Sequence, residues 1–97
     1  MSRILIVDDV RPLAEQYAYD LERLGGFETV IADGGEAALE LIARGDIDCV
    51  ILDLEMPGMD GFQVLGTLHQ RGIETAVIVY TGTGNFDRCI QAVRLGA

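Results

Sequence analysis

The chain of 97 residues contains no lysine and only two cysteines, and these scarcities limit what it can do. All seven basic residues are arginines, against sixteen Asp and Glu, so the formal net charge is −9. Binding of nucleic acid needs clustered basic side chains, and this balance argues against it. Cys49 and Cys89 match no spacing typical of a metal site, so we expect both to be reduced residues of the core.

Long apolar runs are also missing from the sequence. No apolar stretch approaches the ~20 residues that a membrane span needs, and the N-terminal residues do not resemble a signal peptide. We therefore expect a cytoplasmic protein with no membrane partner. The length suits one domain over residues 1–97, and a hydrophobic fraction of 49% is enough for a single core.

Four short apolar runs, at residues 4–7, 27–31, 49–52 and 76–80, alternate with segments of helical period. This order predicts an α/β fold, in which a parallel sheet lies between two layers of helices as a three-layer sandwich. The first, third and fourth runs are continuously apolar, which is typical of inner strands. Glu28 and Thr29 interrupt the second run, so we expect it at an edge.

Local signals predict where the helices begin and end. Four apolar residues form the predicted inner stripe of the first helix: Leu13, Tyr17, Leu21 and Leu24. The pair Gly25-Gly26 is expected to end that helix. Asp33 is predicted to cap the second helix, with Glu36 as its capping-box partner. The third helix is expected to begin near Asp60, and a fourth near Asn85.

Acidic side chains follow the predicted strands at the edge where ligand sites form in an open parallel sheet. Asp8 and Asp9 end the first strand, Asp53 ends the third, and Thr81 follows the fourth. If the first and third strands are neighbours, three carboxylates and a hydroxyl share one pocket. Close carboxylates repel one another and need a cation, and oxygen ligands without His or Cys favour Mg²⁺.

This set of side chains suits phosphoryl chemistry. A carboxylate beside a bound cation can act as a nucleophile toward phosphorus, and the Thr81 hydroxyl can donate a hydrogen bond to a phosphoryl oxygen. A single strand-end aspartate is more often a turn or cap residue. The clustering of the acids favours a site, but these residues alone do not select which carboxylate is the nucleophile.

The sequence resembles the receiver domain of two-component response regulators over its whole length. The resemblance is carried by the Asp8-Asp9 pair, by residues 53–61 (Asp-Leu-Glu-Met-Pro-Gly-Met-Asp-Gly) and by residues 80–82 (Tyr-Thr-Gly). It implies a flavodoxin-like sheet with strand order 2-1-3-4. It also implies a conformational switch, not a metabolic enzyme, whose partner is a sensor histidine kinase or a phosphotransfer protein.

The resemblance assigns a role to each site residue. Asp53 would accept the phosphoryl group in a Mg²⁺-dependent reaction. Asp9 would bind Mg²⁺ directly, Asp8 would act mainly through water, and the backbone carbonyl of Glu55 would complete the metal site. Thr81 would turn toward the phosphoryl oxygen on activation.

The sequence departs from the family after its fourth helix. The fifth strand, which normally ends in Lys-Pro, and the fifth helix are absent from residues 1–97. We expect a longer natural protein with an output domain beyond residue 97. If the piece is stable as it stands, its apolar fourth strand is an exposed edge, and we expect it to pair with a second copy.

Other functions remain open at this point. The absence of lysine is compatible with a receiver-like interaction module that binds partners without phosphorylation. A Mg²⁺-dependent phosphatase with an aspartyl nucleophile would usually show Asp-x-Asp after the first strand and a downstream lysine, and both are missing. The Thr-Gly-Thr-Gly segment at residues 81–84 is a weak sign of nucleotide binding. Flavin binding is the weakest alternative, because two acids occupy the place of a phosphate loop after the first strand.

Overall fold

The computed structural model describes residues 2–80, which form a four-stranded parallel sheet and three helices. The elements in chain order are β1 (Arg3–Val7), α1 (Arg11–Gly25), β2 (Glu28–Ala32), α2 (Gly35–Ala43), β3 (Cys49–Asp53), α3 (Gly61–Gln70) and β4 (Ala76–Tyr80). The strand order β2-β1-β3-β4 confirms the predicted fold class and places β2 at an edge, as expected. The predicted fourth helix, Thr81 and Cys89 lie outside the described residues.

The two faces of the sheet have separate cores because side chains alternate along each strand. On one face, Leu5 and Val7 of β1 and Val50 and Leu52 of β3 pack with helices α2 and α3. On the other face, alternate residues of β1 pack under α1. The alternation along each strand therefore determines on which face of the sheet its last side chain lies.

Helix α1 is rotated relative to the predicted stripe. Ala14 and Ala18 are its buried residues, and Tyr17 is partly buried beside them. Leu24, predicted to face the core, is 79% exposed. The small alanine side chains bring the helix close to the sheet, and this moves the contact line away from the outermost leucine. Gly26 ends the helix in the left-handed conformation (φ 67°), as predicted.

The start of α2 differs from the prediction. The N-cap residue is Gly34, in extended conformation, and no side chain caps this helix. The proposed capping box of Asp33 with Glu36 is therefore wrong, because Asp33 lies one residue before the cap position. Among the described helices, α3 has the capping box: the Asp60 carboxylate accepts from the Gln63 amide, and the Gln63 side chain accepts from the Asp60 amide.

Gly61 lets α3 begin directly against the end of β3. A Cβ atom at this position would stand 2.5 Å from the carbonyl oxygen of Asp53 and 2.7 Å from Cα of Leu54. The Gly61 amide also donates to the Leu54 carbonyl oxygen at 3.3 Å, which closes the loop between β3 and α3. The backbone of Asp53 is therefore held by the first turn of the helix that follows it.

The remaining fold predictions concern the sheet edge and isolated side chains. Strand β4 is an edge of the sheet formed by the described residues, and its Ile78 is 59% exposed. Pairing of this strand with a second copy stays a prediction. His69 is exposed, as expected for a surface residue, and Cys49 is a free, partly buried thiol. Within residues 2–80, no helix is long and apolar enough to cross a membrane.

Candidate functional site

Asp8, Asp9 and Asp53 meet at the carboxyl edge of the sheet. Strands β1 and β3 are direct neighbours, and their register pairs Val7 with Leu52, so both strands end at the same level. One carboxylate oxygen from each of the three aspartates lies within 4.8 Å of the other two. The condition on which the predicted site depended, that the first and third strands are adjacent, is therefore met.

Two of the three acids are buried, which argues against a role as solvated turn residues. Asp8 is 1% exposed and Asp53 is 8% exposed, whereas Asp9 is exposed to solvent. Each buried carboxylate accepts a hydrogen bond from the amide two residues later. Val10 donates to Oδ1 of Asp8 at 2.8 Å, and Glu55 donates to Oδ1 of Asp53 at 3.0 Å. These bonds fix the orientation of both carboxylates.

The charge of this cluster is not balanced within the part of the chain that the structure describes. The ion pairs among residues 2–80 join Arg3 to Glu28 and Asp46, and Arg11 to Glu15, so none of them includes one of the three aspartates. Burial raises the pKa of Asp53, and the nearby negative charges raise it further, while the hydrogen bond from the Glu55 amide opposes the shift. The described residues therefore place no positive charge where these acids are closest.

Tyr80, to which the sequence analysis assigned no role in the site, belongs to it. Its hydroxyl donates a hydrogen bond to Oδ2 of Asp8. Burial raises the pKa of Tyr80 first, and the bond to Asp8 and the charge of Asp53 add to the shift, so the phenol stays protonated. The alternation of side chains along β4 could have indicated which face Tyr80 is on. Its place in the site also depends on the strand register, which pairs Tyr80 with Asp53.

The donor set fits Mg²⁺. Mg²⁺ prefers carboxylate and water oxygens at about 2.1 Å in an octahedron, so oxygens on adjacent and opposite positions lie roughly 3 and 4 Å apart. The carboxylate oxygens of the three aspartates are within 4.8 Å, so small side-chain rotations would bring them to these separations. Asp9, the exposed member, has the most freedom to rotate. Among residues 2–80, no histidine or thiol belongs to the cluster, which disfavours zinc.

The remaining predicted residues lie around this cluster or outside the described part of the chain. Glu55 lines an open depression of about 260 Å³ together with the three aspartates and Tyr80, while the metal-binding role of its backbone carbonyl stays a prediction. The apolar rim of the same depression is formed by Val10 and Leu13. Thr81 lies beyond the described residues, so its predicted role stays a prediction.

Comparison with known proteins identifies the arrangement. The family model of the response regulator receiver domain matches residues 4–97. The chain belongs to this family. Receiver domains are the response-regulator half of two-component systems, so the flavodoxin-like fold and the signalling class predicted from the sequence are confirmed.

Individual relatives support the same assignment. The chain is 43% identical over 96 residues to the response regulator protein FleR of Pseudomonas aeruginosa, and this match covers 99% of the chain and 20% of FleR. It is 38% identical over 101 residues to the regulatory protein AtoC of Escherichia coli, covering 100% of the chain and 21% of AtoC. The chain thus spans about a fifth of the length of these two relatives.

A solved receiver structure aligns with nearly the whole chain. The response regulator TrrA from Thermotoga maritima, solved in complex with Mg²⁺ and BeF, superposes with a TM-score of 0.85 at 33% identity. The alignment covers 96% of this chain and 80% of TrrA.

Proposed function

We propose that this receiver domain accepts a phosphoryl group on Asp53 in a Mg²⁺-dependent reaction and acts as a regulatory switch, not as a metabolic enzyme. The observation that carries the proposal is the cluster of three aspartates, two of them buried, whose charge is unbalanced within residues 2–80. Such a cluster lowers the stability of the metal-free fold, and a bound cation offsets this cost. The resemblance to TrrA, solved with Mg²⁺ and BeF, supports the choice of cation.

The hydrogen bonds favour Asp53 over Asp8 as the phosphoacceptor. Both oxygens of Asp8 accept hydrogen bonds, one from the Val10 amide and one from the Tyr80 hydroxyl. Within the described residues, Asp53 accepts one hydrogen bond, at Oδ1, so its Oδ2 keeps its lone pairs for attack. The fixed Oδ1 orients the carboxylate, which lowers the entropy lost when the nucleophile approaches phosphorus.

The transfer step requires only that these atoms be held in place. Oδ2 of Asp53 attacks phosphorus as the bond from phosphorus to the leaving group breaks, which yields an acyl phosphate. With a kinase phosphohistidine as donor, the leaving atom is an imidazole nitrogen. With acetyl phosphate, acetate leaves. Mg²⁺ held by Asp8, Asp9 and Asp53 would neutralise the charge that phosphoryl oxygens bring into the site.

The partners follow from the family. We infer that a sensor histidine kinase or a phosphotransfer protein is the phosphoryl donor, and that the protein acts in the cytoplasm. FleR and AtoC are about five times longer than the part of them that this chain matches. We therefore infer that the domain works as the phosphorylated part of a longer regulator with an output domain.

Labelling with acetyl phosphate tests the proposal. The 97-residue chain, incubated with acetyl phosphate and Mg²⁺, should gain the mass of one phosphoryl group, and Asp53→Asn should abolish the gain. Asp46→Asn is the matched control, because it removes an exposed acid that is paired with Arg3 at the other end of the sheet. Intact-protein mass spectrometry gives the readout.

Three outcomes would contradict the proposal. Labelling that persists in Asp53→Asn would move the acceptor to another residue. Labelling that survives removal of Mg²⁺ by a chelator would exclude the metal dependence. A folded wild-type chain that is never labelled would favour the alternative, a receiver-like module that binds partners without phosphorylation.

A further inference from the structure

The last side chain of β4 enters the acidic site from the neighbouring strand. Tyr80 is paired with Asp53 in the register of β3 and β4, so the two side chains project from the same face of the sheet. The Tyr80 hydroxyl reaches past Asp53 and donates to Oδ2 of Asp8, which is 72 residues away in the sequence. Tyr80 therefore joins β4 to the end of β1 across the strand between them.

This hydrogen bond satisfies a carboxylate that water hardly reaches. Asp8 is 1% exposed, and its Oδ1 is already engaged by the Val10 amide. The phenol is the side-chain donor to Oδ2 among the described residues. A buried carboxylate oxygen without a donor is costly, so the phenol lowers the free energy of the metal-free site.

The phenol ring is held in position by the helix above it. The rings of Tyr80 and Tyr17 of α1 form an edge-to-face pair with centroids 5.6 Å apart and an interplanar angle of 71°. Such pairs are favourable, and both rings are only partly exposed. Strand register and the α1 contact together determine where the hydroxyl lies.

We propose that Tyr80 is a positioning residue that sets the affinity of the site for its divalent cation, because its hydroxyl and the cation compete for Oδ2 of Asp8. The proposal rests on the proposed function only in taking the cation to be Mg²⁺. Since Oδ1 of Asp8 is committed to the Val10 amide, the electron pairs of Oδ2 are those that a cation or its bound water would use. In the metal-free state, the phenol is a neutral hydrogen-bond donor that stabilises Oδ2 of Asp8 in place of a cation.

The competition predicts the sign of a single substitution. Tyr80→Phe keeps the ring and its contact with Tyr17 but removes the hydroxyl. The metal-free state loses its donor, whereas the metal-bound state loses less, so Mg²⁺ should bind about tenfold more tightly, in line with the net strength of a hydrogen bond to a charged group. The metal-free variant should also unfold at a lower temperature than the wild type.

A magnesium titration of the 97-residue chain tests this prediction. The rise in unfolding temperature with Mg²⁺ concentration gives the affinity for the wild type, Tyr80→Phe and Tyr19→Phe. Tyr19 is the matched control, because it lies exposed on the same helix as Tyr17, beside Arg23 and outside the acidic site. The stability gap between wild type and Tyr80→Phe should narrow as Mg²⁺ saturates, while Tyr19→Phe should follow the wild type throughout.

A second measurement needs no variant. In the metal-free wild type, the hydrogen-bonded Tyr80 hydroxyl proton should give a downfield NMR signal, and Mg²⁺ should move it upfield with the same midpoint as the thermal titration. A signal that stays unchanged at saturating Mg²⁺ would overturn the inference, even if Tyr80→Phe does not fold.

The outcomes separate this inference from the proposed function. If the wild type responds to Mg²⁺ but Tyr80→Phe binds it equally or more weakly, Tyr80 does not compete with the cation and only the inference is overturned. If none of the three proteins responds to Mg²⁺, the magnesium site itself is wrong and the inference falls with it.

Discussion

The two ends of the parallel sheet each gather three carboxylates, but among residues 2–80 a positively charged side chain pairs with these acids only at the amino end. At the amino end, the Arg3 guanidinium pairs with Glu28 and Asp46. The backbone amide of Arg3 also donates to Oδ2 of Asp48 at 2.7 Å. These acids lie near the surface, and one residue at the start of β1, Arg3, contacts all three through its side chain or its backbone amide.

At the carboxyl end, directly after β1, both the burial of the acids and their charge balance differ. Asp8 and Asp53 are buried, Asp9 lies beside them, and the side-chain donor to the cluster among residues 2–80 is the neutral hydroxyl of Tyr80. Burial makes unbalanced charge more costly here than it would be at the surface. The ion pairs of the amino end therefore contribute to stability, whereas the carboxyl end retains repulsion between carboxylates that a bound cation would relieve.

The largest expected contrast between the two ends is in cation binding. Asp9→Asn should weaken Mg²⁺ binding by roughly 100-fold, since loss of even an outer partner of a metal site costs about 10- to 100-fold. Asp48→Asn, at the amino end, should leave the affinity unchanged. Calorimetric titration with Mg²⁺ measures both. Equal losses in the two variants would mean that the two ends are not functionally distinct.

A smaller contrast concerns the stability of the metal-free fold at neutral pH. Asp53→Asn should stabilise it by about 1–2 kcal/mol, because the substitution removes repulsion and keeps an oxygen for the Glu55 amide. Asp46→Asn should destabilise the fold by about 0.5 kcal/mol, the usual size of an exposed ion pair. Urea unfolding with a chelator present measures both changes. If both substitutions changed the free energy of unfolding in the same direction, the proposed difference between the two ends would be wrong.

The stabilising effect of Asp53→Asn should depend on pH. The pKa of Asp53 is raised in the folded protein, so between its ordinary value and the raised value the folded state binds more protons than the unfolded state. The contribution of Asp53 to stability is therefore favourable at low pH and is lost as the pH rises through this window. The advantage of Asp53→Asn should appear above the raised pKa and vanish below the ordinary one.

An effect close in size to that of Asp46→Asn is expected at the arginine of the amino end. Arg3→Gln should cost about 0.5–1 kcal/mol of stability, with a larger loss at low ionic strength, because its partners Glu28 and Asp46 are exposed. The affinity for Mg²⁺ should not change. Denaturant unfolding at two salt concentrations, together with a Mg²⁺ titration, measures this. A change in Mg²⁺ affinity would show that the two ends are coupled through β1.

The acidic cluster was predictable because its signals are local. Asp8 and Asp53 directly follow apolar runs, Asp9 comes next after Asp8, and the carboxyl ends of parallel strands meet at one edge. The contacts of Tyr80 and Arg3 were not predicted, because their partners are distant in the sequence and are brought near by the pairing of the strands, which no short pattern contains. The capping prediction for Asp33 failed for a similar reason: two consecutive glycines left the start of α2 undetermined by one residue.

The tight approach of Gly61 to the end of β3 also bears on how this domain should be engineered. A fluorescent tag or an added peptide between residues 55 and 60 would lengthen a loop whose ends meet at the Gly61–Leu54 hydrogen bond, next to the backbone of Asp53. The turn after α2 is remote from Asp53: it precedes Asp46, which pairs with Arg3 at the amino end of the sheet, and Gly45 in this turn is exposed. A biosensor built from this domain should have its reporter grafted there.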